Sequence, residues 1–272
     1  MNVLITGCAS GIGKKTMEYF LYNNHFVYAI DKFEIDKHDN LVSFLVDITN
    51  EAELNKVFAE LCSKDVKLDA IINIAGVHKM ASLVENDFND LKKLMEINVL
   101  GTMLINNVFH PLLNKNGKII IVTSEVAVFD PLPFNGLYSI SKSTLEVYAQ
   151  ALRQELNLIN QRVVTIRPGA IQTPLSNNSL NDIKKLANDT VLYKRQAHHF
   201  LSISKKFMGK PIKPIKVAKL IYKSATKKKP KLSYSIHSNI GLVLLNILPK
   251  RLQCFIIKKL LNKKIKEKKN EN

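Results

Sequence analysis

Cysteine is scarce in this sequence: its 272 residues include only Cys8, Cys62 and Cys254. Their wide separation matches neither a disulfide framework nor the spacing of metal ligands, so we predict no bound metal. We interpret the three side chains as ordinary small apolar residues. A chain without a disulfide framework fits a reducing compartment, and the cytoplasm is therefore the expected location.

Long apolar runs are missing as well. The longest candidate, residues 241–248, is far shorter than the roughly 18 residues that a membrane span needs. No basic segment followed by an apolar one precedes the first strand, so we expect no signal peptide. Neither an internal repeat nor a Gly/Ser linker marks a second domain. With 46% hydrophobic residues, the composition predicts one packed domain.

Acidic residues are nearly absent from the last quarter of the chain. Residues 205–272 contain 20 Lys and Arg against 2 Asp and Glu, whereas residues 1–204 contain 20 against 21. The net charge of +17 therefore belongs to the carboxyl-terminal region of an otherwise neutral domain. No aromatic stacking platform accompanies the lysines, so we do not expect nucleic-acid binding.

Short apolar runs alternate with segments of helical periodicity along most of the chain. The predicted strands are residues 3–6, 26–31, 42–46, 70–74, 118–123, 162–167 and 231–236, and the main predicted helices are residues 14–22, 51–62, 88–113, 141–158 and 217–225. This alternation predicts an α/β fold: a single-domain, doubly wound parallel sheet (Rossmann fold) of about seven strands with helices on both faces. We place the catalytic domain at residues 1–240 and a basic amphipathic extension at residues 241–272.

A glycine-rich turn joins the first strand to the first helix. Gly7, Gly11 and Gly13 let the backbone approach a pyrophosphate closely, and the helix amino-terminus supplies free N–H groups. A tight turn without a ligand is the alternative, since such matches are weak without their context. Here the strand before and the helix after the turn favour a dinucleotide.

Asp31, which ends the second strand, bears on the choice of dinucleotide. Its carboxylate could accept hydrogen bonds from ribose hydroxyls and would repel a 2′-phosphate, which favours NAD over NADP. Ser10 stands where a cation before Gly11 could neutralise that phosphate. Lys14 and Lys32 lie nearby in sequence, so NADP is not excluded. The alternative role for Asp31 is a turn former at the strand end.

Tyr138 and Lys142 are four residues apart, which places them on one helical face. We expect the Lys142 ammonium to lower the pKa of the Tyr138 phenol, so that the phenol can exchange a proton with a substrate oxygen. Ser124 directly follows an apolar strand at its carboxyl end, the edge at which ligands of open α/β sheets bind. Its hydroxyl could hold the same substrate oxygen.

Together these motifs resemble the short-chain dehydrogenase/reductase family, in the family's order and over residues 1 to about 175. The matching positions are residues 6–13, Asp47, Asn73, Ala75, Gly76, residues 98–101, Ser124, Tyr138, Lys142, Pro168, Gly169 and Thr173. One departure is Ile74, where the family usually has a second asparagine. Another is Glu125, which we expect to face solvent.

The resemblance implies an oxidoreductase that interconverts a secondary alcohol and a ketone with NAD or NADP. It implies that Tyr138 is the general acid/base, that Ser124 orients the substrate oxygen, and that Asn98 holds a water in a proton relay from Lys142. The implied cofactor-binding residues are Gly7, Ser10, Gly11, Ile12, Gly13, Asp31, Asp47, Ile48, Asn73, Ala75, Gly76, Tyr138, Lys142, Pro168, Gly169, Ile171 and Thr173.

Two of these residues have alternative interpretations: Asn98 could satisfy a helix kink, and Asp47 could cap the helix that starts near Asn50. The family also implies a homodimer or homotetramer. Two other functions compete with this one. The chain could be a non-catalytic dinucleotide-binding protein, or a regulatory protein whose main task is membrane docking.

The substrate end is the least determined part. Residues 174–212 occupy the place where members of that family carry a mobile lid, and their apolar side chains favour a hydrophobic alcohol or ketone. The basic, apolar extension resembles the extensions of family members that act on lipophilic substrates, which implies a substrate of the steroid, retinoid or acyl-chain type. In the extension, one helical face collects Leu252, Phe255, Ile256, Leu260 and Ile265, with lysines around it. Such a helix could lie on a membrane surface, cover the pocket or pair with a neighbouring subunit, and the sequence leaves these alternatives open.

Overall fold

The computed structural model describes residues 1–207 and 210–263. Seven parallel strands form one sheet in the order β3-β2-β1-β4-β5-β6-β7. The strands are β1 (Asn2–Thr6), β2 (Phe26–Asp31), β3 (Leu41–Leu45), β4 (Leu68–Asn73), β5 (Leu113–Val122), β6 (Arg162–Pro168) and β7 (Ser233–Ile236). The predicted doubly wound parallel sheet is confirmed. The strand order reverses between β1 and β4, the place where such sheets open a crevice for ligands.

Helices cover both faces of the sheet. They are α1 (Gly11–Tyr22), α2 (Glu51–Ser63), α3 (Phe88–Met95), α4 (Thr102–Phe109), α5 (Gly136–Asn157), α6 (Pro174–Asp189), α7 (Lys194–Phe207), α8 (Pro214–Thr226), α9 (Ile240–Ile247) and α10 (Lys250–Leu261). Within the described ranges, no helix combines the length and the apolar character that a membrane crossing requires.

Alternate residues of the strands feed two apolar layers. Leu4 of β1 packs with α2, α4 and α5 on one face, while Ile5 packs with α1 and α8 on the other. Phe109 and Phe20 are fully buried in these two layers. Burial of one such side chain stabilises the fold by about 1.5–3 kcal/mol. The two-sided core fixes the register of the strands, so the loops at their carboxyl ends meet along one edge.

Two predicted helical segments are interrupted in the structure. The helix predicted over residues 88–113 is interrupted by a π-helical segment, Glu96–Gly101. There the side chain of Asn98 leaves the helix and bonds the backbone of Val77. The amphipathic extension is two helices rather than one. Pro249 stands between α9 and α10 and lacks the N–H that a continuous helix would need.

Candidate active site

The turn after β1 has no room for a side chain at Gly7 or Gly13. Gly7 has a φ of +79°, and a Cβ on it would lie 2.8 Å from the Ala75 backbone nitrogen. A Cβ on Gly13 would lie 1.8 Å from the Gly7 carbonyl oxygen. Among the described contacts, the side chain at the N-cap, Ser10, makes no bond to the first turn of α1. The turn therefore offers backbone N–H groups and a positive dipole end to an anion, as a dinucleotide pyrophosphate requires.

Asp31 fastens this turn to the end of β2. One carboxylate oxygen accepts a hydrogen bond from the Ala9 N–H at 2.8 Å, and the other accepts from the Phe33 N–H at 3.1 Å. The second bond forms a turn at the end of the strand, which is the alternative role that the sequence analysis gave to Asp31. Asp31 is nevertheless partly exposed and lines the same cavity as the glycine turn, where its remaining lone pairs can accept bonds from a ligand.

Ser124, Tyr138 and Lys142 meet at the carboxyl edge of the sheet. Ser124 follows the end of β5, while Tyr138 and Lys142 lie one turn apart at the start of α5. The Ser124 and Tyr138 side chains are hydrogen-bonded. The Lys142 Nζ lies 5.8 Å from the Tyr138 ring centroid and donates a hydrogen bond to the Val122 carbonyl oxygen at 3.1 Å. A phenol, a hydroxyl and a buried amine therefore share one wall.

The expected lowering of the Tyr138 pKa is wrong for this structure. Desolvation raises the pKa of Tyr138 to about 12, and the hydrogen bond with Ser124 opposes that rise only in part. Desolvation also lowers the pKa of Lys142 to about 8. Both shifts have one physical cause, because a site shielded from water disfavours the phenolate as well as the ammonium. At neutral pH the phenol is therefore protonated and able to donate.

Asn98 lies behind this wall and does not line the cavity. Its amide accepts a bond from the Val77 N–H at 2.7 Å and donates to the Val77 carbonyl at 2.9 Å and to the Ser141 Oγ at 3.1 Å. These three bonds join the π-helical segment to the loop after β4 and to α5, and they do not go to the backbone of the irregular helix that the alternative interpretation supposed. The relay role stays a prediction. A Cβ on Gly76 would lie 3.1 Å from the Asn98 Oδ1 and 3.6 Å from the Lys142 Nζ, so Asn98 sits beside Lys142.

Asn73 and Asp47 have different surroundings. Asn73 is buried, donates to the Asn106 Oδ1 at 2.8 Å and does not line the cavity. Asp47 lines the cavity and accepts bonds from the Thr49 N–H and hydroxyl. The alternative that Asp47 caps the next helix is wrong, because Asn50 caps α2 by accepting from the Glu53 N–H at 3.2 Å.

One cavity of about 680 Å³ joins the glycine turn to this wall and to the lid. It is lined by every site residue that the sequence predicts except Asn73 and Asn98, namely Gly7, Ser10, Gly11, Ile12, Gly13, Asp31, Asp47, Ile48, Ala75, Gly76, Ser124, Tyr138, Lys142, Pro168, Gly169, Ile171 and Thr173. Apolar side chains from α6, α7 and α9, such as Ile183, Phe200 and Leu242, line it as well. The volume suits a dinucleotide with an apolar substrate beside it.

The sequence analysis missed His78, which touches Tyr138. The two ring centroids are 4.2 Å apart, and the His78 Nδ1 lies 2.9 Å from the Ser179 Oγ of the lid helix α6. Desolvation lowers the pKa of His78 to about 4; a hydrogen bond with Asn135 opposes this shift and the Lys142 charge adds to it. His78 therefore faces Tyr138 as a neutral ring. Its place two residues after Gly76 was the available signal.

Glu125 does not face solvent, so that expectation is wrong. The side chain is only 8% exposed and lines the cavity. Its Oε2 accepts a hydrogen bond from the Asn239 N–H at 2.6 Å. Burial raises the pKa of Glu125, and the Asn239 bond and the nearby His237 oppose that rise. Glu125 thereby holds the start of α9 at the edge of the cavity.

A family model described as short chain dehydrogenase matches residues 1–184. 3-Ketodihydrosphingosine reductase from Bacteroides thetaiotaomicron is 27% identical over 230 residues, which are 84% of each chain. NADPH-dependent 1-acyldihydroxyacetone phosphate reductase from Schizosaccharomyces pombe is 29% identical over 192 residues, 68% of this chain and 64% of that protein.

Solved structures show the same fold. A short chain dehydrogenase family protein from Francisella tularensis superimposes with a TM-score of 0.72 at 25% identity, over 86% of this chain and 96% of that one. A short chain dehydrogenase from Burkholderia cenocepacia in complex with NADP has a TM-score of 0.72 at 21% identity, over 96% and 98%. The chain therefore belongs to the short-chain dehydrogenase family and is an oxidoreductase that acts on CH–OH groups with NAD or NADP.

Proposed function

We propose that this enzyme interconverts an apolar secondary alcohol and its ketone, prefers NAD, and uses Tyr138 as its general acid/base. The convergence of Ser124, Tyr138 and Lys142 with the glycine turn on one cavity carries the proposal. Family membership favours an enzyme over the alternative of a non-catalytic dinucleotide-binding protein. Assembly as a homodimer or homotetramer stays a prediction.

The proposed chemistry divides between cofactor and protein. The nicotinamide supplies or accepts the hydride when it is bound. Ser124 holds the substrate oxygen, and Tyr138 donates a proton to it as the ketone is reduced. A phenol with a pKa near 12 is protonated at neutral pH, which suits this donor role. The hydrogen bond with Ser124, which lowers the pKa of the phenol, stabilises the phenolate that remains, and the Lys142 side chain lies 5.8 Å from the ring centroid.

The preference for NAD rests on Asp31 and Ser10. The carboxylate of Asp31 lies in the cavity wall at the end of β2, where it would repel a 2′-phosphate. Lys32 also lines the cavity and acts against this preference. One relative is described as NADPH-dependent, and structures of the fold are described with NADP or with NADH. Because the Asp31 carboxylate and the Lys32 ammonium have opposite effects on the binding of a 2′-phosphate, Asp31 is the residue to test.

The apolar substrate follows from the far end of the cavity. Leu132, Leu175, Ile183, Phe200 and Leu242 line it there. The names of the two relatives specify a 3-keto compound and an acylated ketone phosphate. We therefore infer a ketone attached to a sizeable apolar group.

The decisive experiment is turnover of Tyr138→Phe with NADH and a panel of apolar ketones. Loss of the proton donor lowers kcat by about 10²–10⁴-fold while leaving KM for NADH nearly unchanged. Tyr148→Phe is the matched control: Tyr148 lies on the same helix but bonds Asn106 in the core. A Tyr138→Phe enzyme with wild-type kcat on a confirmed substrate would overturn the proposed role.

A further inference from the structure

Helix α9 exposes an apolar stripe. Ile240, Val243, Leu244 and Ile247 are all exposed, with Ile240 at 75% and Ile247 at 74%. Their spacing of three and four residues puts them on one helical face. Leu242, on the opposite side, is buried and lines the cavity. The helix thus has an inner face toward the site and an apolar outer face toward the surroundings.

Helix α10 repeats this arrangement. Leu252, Phe255 and Ile256 are exposed on one face, Phe255 at 60%. The opposite side holds Leu261, which is buried in a cluster with Ala197 of the lid helix α7. Helix α10 therefore packs on the lid helix α7. The alternative that the extension covers the pocket stays a prediction. Ile265, which the sequence placed on the same apolar face, lies outside the described residues.

Cations border the apolar stripes. Arg251, Lys258, Lys259 and Lys263 are exposed on and after α10. Residues 240–263 contain no Asp or Glu at all. The outer face of α9 and α10 is therefore a positively charged surface with apolar side chains at its centre. It fits a partner that is negatively charged at its surface and apolar within. An anionic bilayer has that construction, whereas a second copy of the same basic helices would repel it.

Helix α9 also borders the cavity, and α10 packs beside it. Asn239 and Leu242 line the cavity, and α10 packs on the lid helix that carries Phe200. A surface that held α9 and α10 would consequently lie beside the substrate end of the site. An apolar substrate could then pass between that surface and the cavity without entering water. This avoids the unfavourable free energy of exposing apolar surface to water.

We propose that the outer face of α9 and α10 docks this enzyme on an anionic lipid bilayer, from which it takes a membrane-dissolved ketone or alcohol. The proposal rests on the proposed function for the identity of the substrate, but the docking itself depends only on the exposed stripes and their cations.

Flotation of the full chain with vesicles tests the docking. The wild-type protein floats with vesicles of phosphatidylcholine and phosphatidylserine, and salt weakens the binding. Lys258→Gln with Lys259→Gln lowers the partition coefficient on the order of tenfold or more, since two charges near the surface are lost. Leu244→Ser with Ile247→Ser lowers it comparably. Leu158→Ser, an exposed site at the end of α5, and Lys228→Gln with Lys229→Gln leave it unchanged.

Activity measurements separate this proposal from the proposed function. Both α9–α10 double variants keep wild-type turnover of a short, water-soluble ketone but lose turnover of a ketone dissolved in anionic vesicles. Tyr138→Phe loses turnover of the soluble ketone and still floats. Absence of wild-type flotation at low salt would overturn the docking. So would a change of oligomeric state in Leu244→Ser/Ile247→Ser, by light scattering, with flotation intact.

Discussion

His78 links Tyr138 to the lid helix α6. Its ring lies against Tyr138, and its Nδ1 meets the Ser179 hydroxyl on α6. A charged imidazolium is disfavoured there because the ring is shielded from water and Lys142 is near. His78 thus places a neutral polar ring in contact with both the Tyr138 phenol and helix α6.

This environment makes His78 a source of acid sensitivity. Its pKa falls from 6.5 to about 4 on folding, so between these values the unfolded chain binds a proton that the native chain does not. Stability therefore declines as pH falls from 6.5 toward 4, by up to about 3 kcal/mol. Urea unfolding of His78→Gln should show a flatter pH dependence than the wild type over this window. His38→Gln, at an exposed site, should follow the wild type; an unchanged slope in His78→Gln would contradict the argument.

The positions of Ser124, Tyr138 and Lys142 could be predicted from sequence motifs, because their order in the sequence and the direction of the strands bring them to one edge of the sheet. Their protonation could not be predicted from the spacing. The pKa of Tyr138 depends on how much water reaches it, and residues far away in sequence decide this. Glu125 illustrates the same limit: a segment that begins 114 residues later, at Asn239, buries it.

At the scale of elements, the loop after β4 clamps the lid helices. The Met80 N–H donates to the Asp182 Oδ2 of α6 at 3.1 Å. Farther along the loop, the Glu85 carboxylate accepts bonds from the Val191 N–H at 2.8 Å and the Leu192 N–H at 2.9 Å, between α6 and α7. The lid is thus held to the same loop that carries His78.

The Glu85 bonds give a testable contribution to lid docking. Bonds from Thr190 and then from Leu192 lower the pKa of the Glu85 carboxyl, so docking favours the carboxylate and weakens as pH falls through that lowered pKa. Glu85→Gln loses the charge-assisted bonds. We expect several-fold faster tryptic cleavage at Lys194 and Arg195, which directly follow the loop between α6 and α7. Glu34→Gln, an exposed acid, should cleave at the wild-type rate, and equal rates in both variants would refute the clamp.

Strands were predictable as elements because buried parallel strands have continuous apolar runs, such as Ile119, Ile120 and Ile121. Helix interruptions were not. The apolar periodicity of residues 88–113 continues across the π-helical segment, where Asn98 bonds the distant Val77. Helix α5 starts at Gly136 rather than at residue 141, and its additional first turn contains Tyr138, which lines the cavity.

At the scale of the whole molecule, the cavity joins parts of the chain that are distant in sequence. The glycine turn after β1, the loop after β4, the wall at β5 and α5, the segment after β6, the lid and α9 all line it. A ligand that contacts all of these parts binds only the folded chain. Its binding free energy therefore adds to the free energy of unfolding.

This coupling predicts how cofactors change thermal stability. NAD at about a hundred times its Kd should stabilise the protein by about 2.7 kcal/mol, measured as a rise in Tm by differential scanning calorimetry, and NADP at the same concentration should stabilise it less. In Asp31→Ser the repulsion of a 2′-phosphate is gone, so the NADP shift should grow relative to the NAD shift. Asp39→Ser, an exposed site nearby in sequence, should keep the wild-type order. A wild-type protein stabilised more by NADP would mean that Lys32 outweighs Asp31 at the ribose end of the cavity.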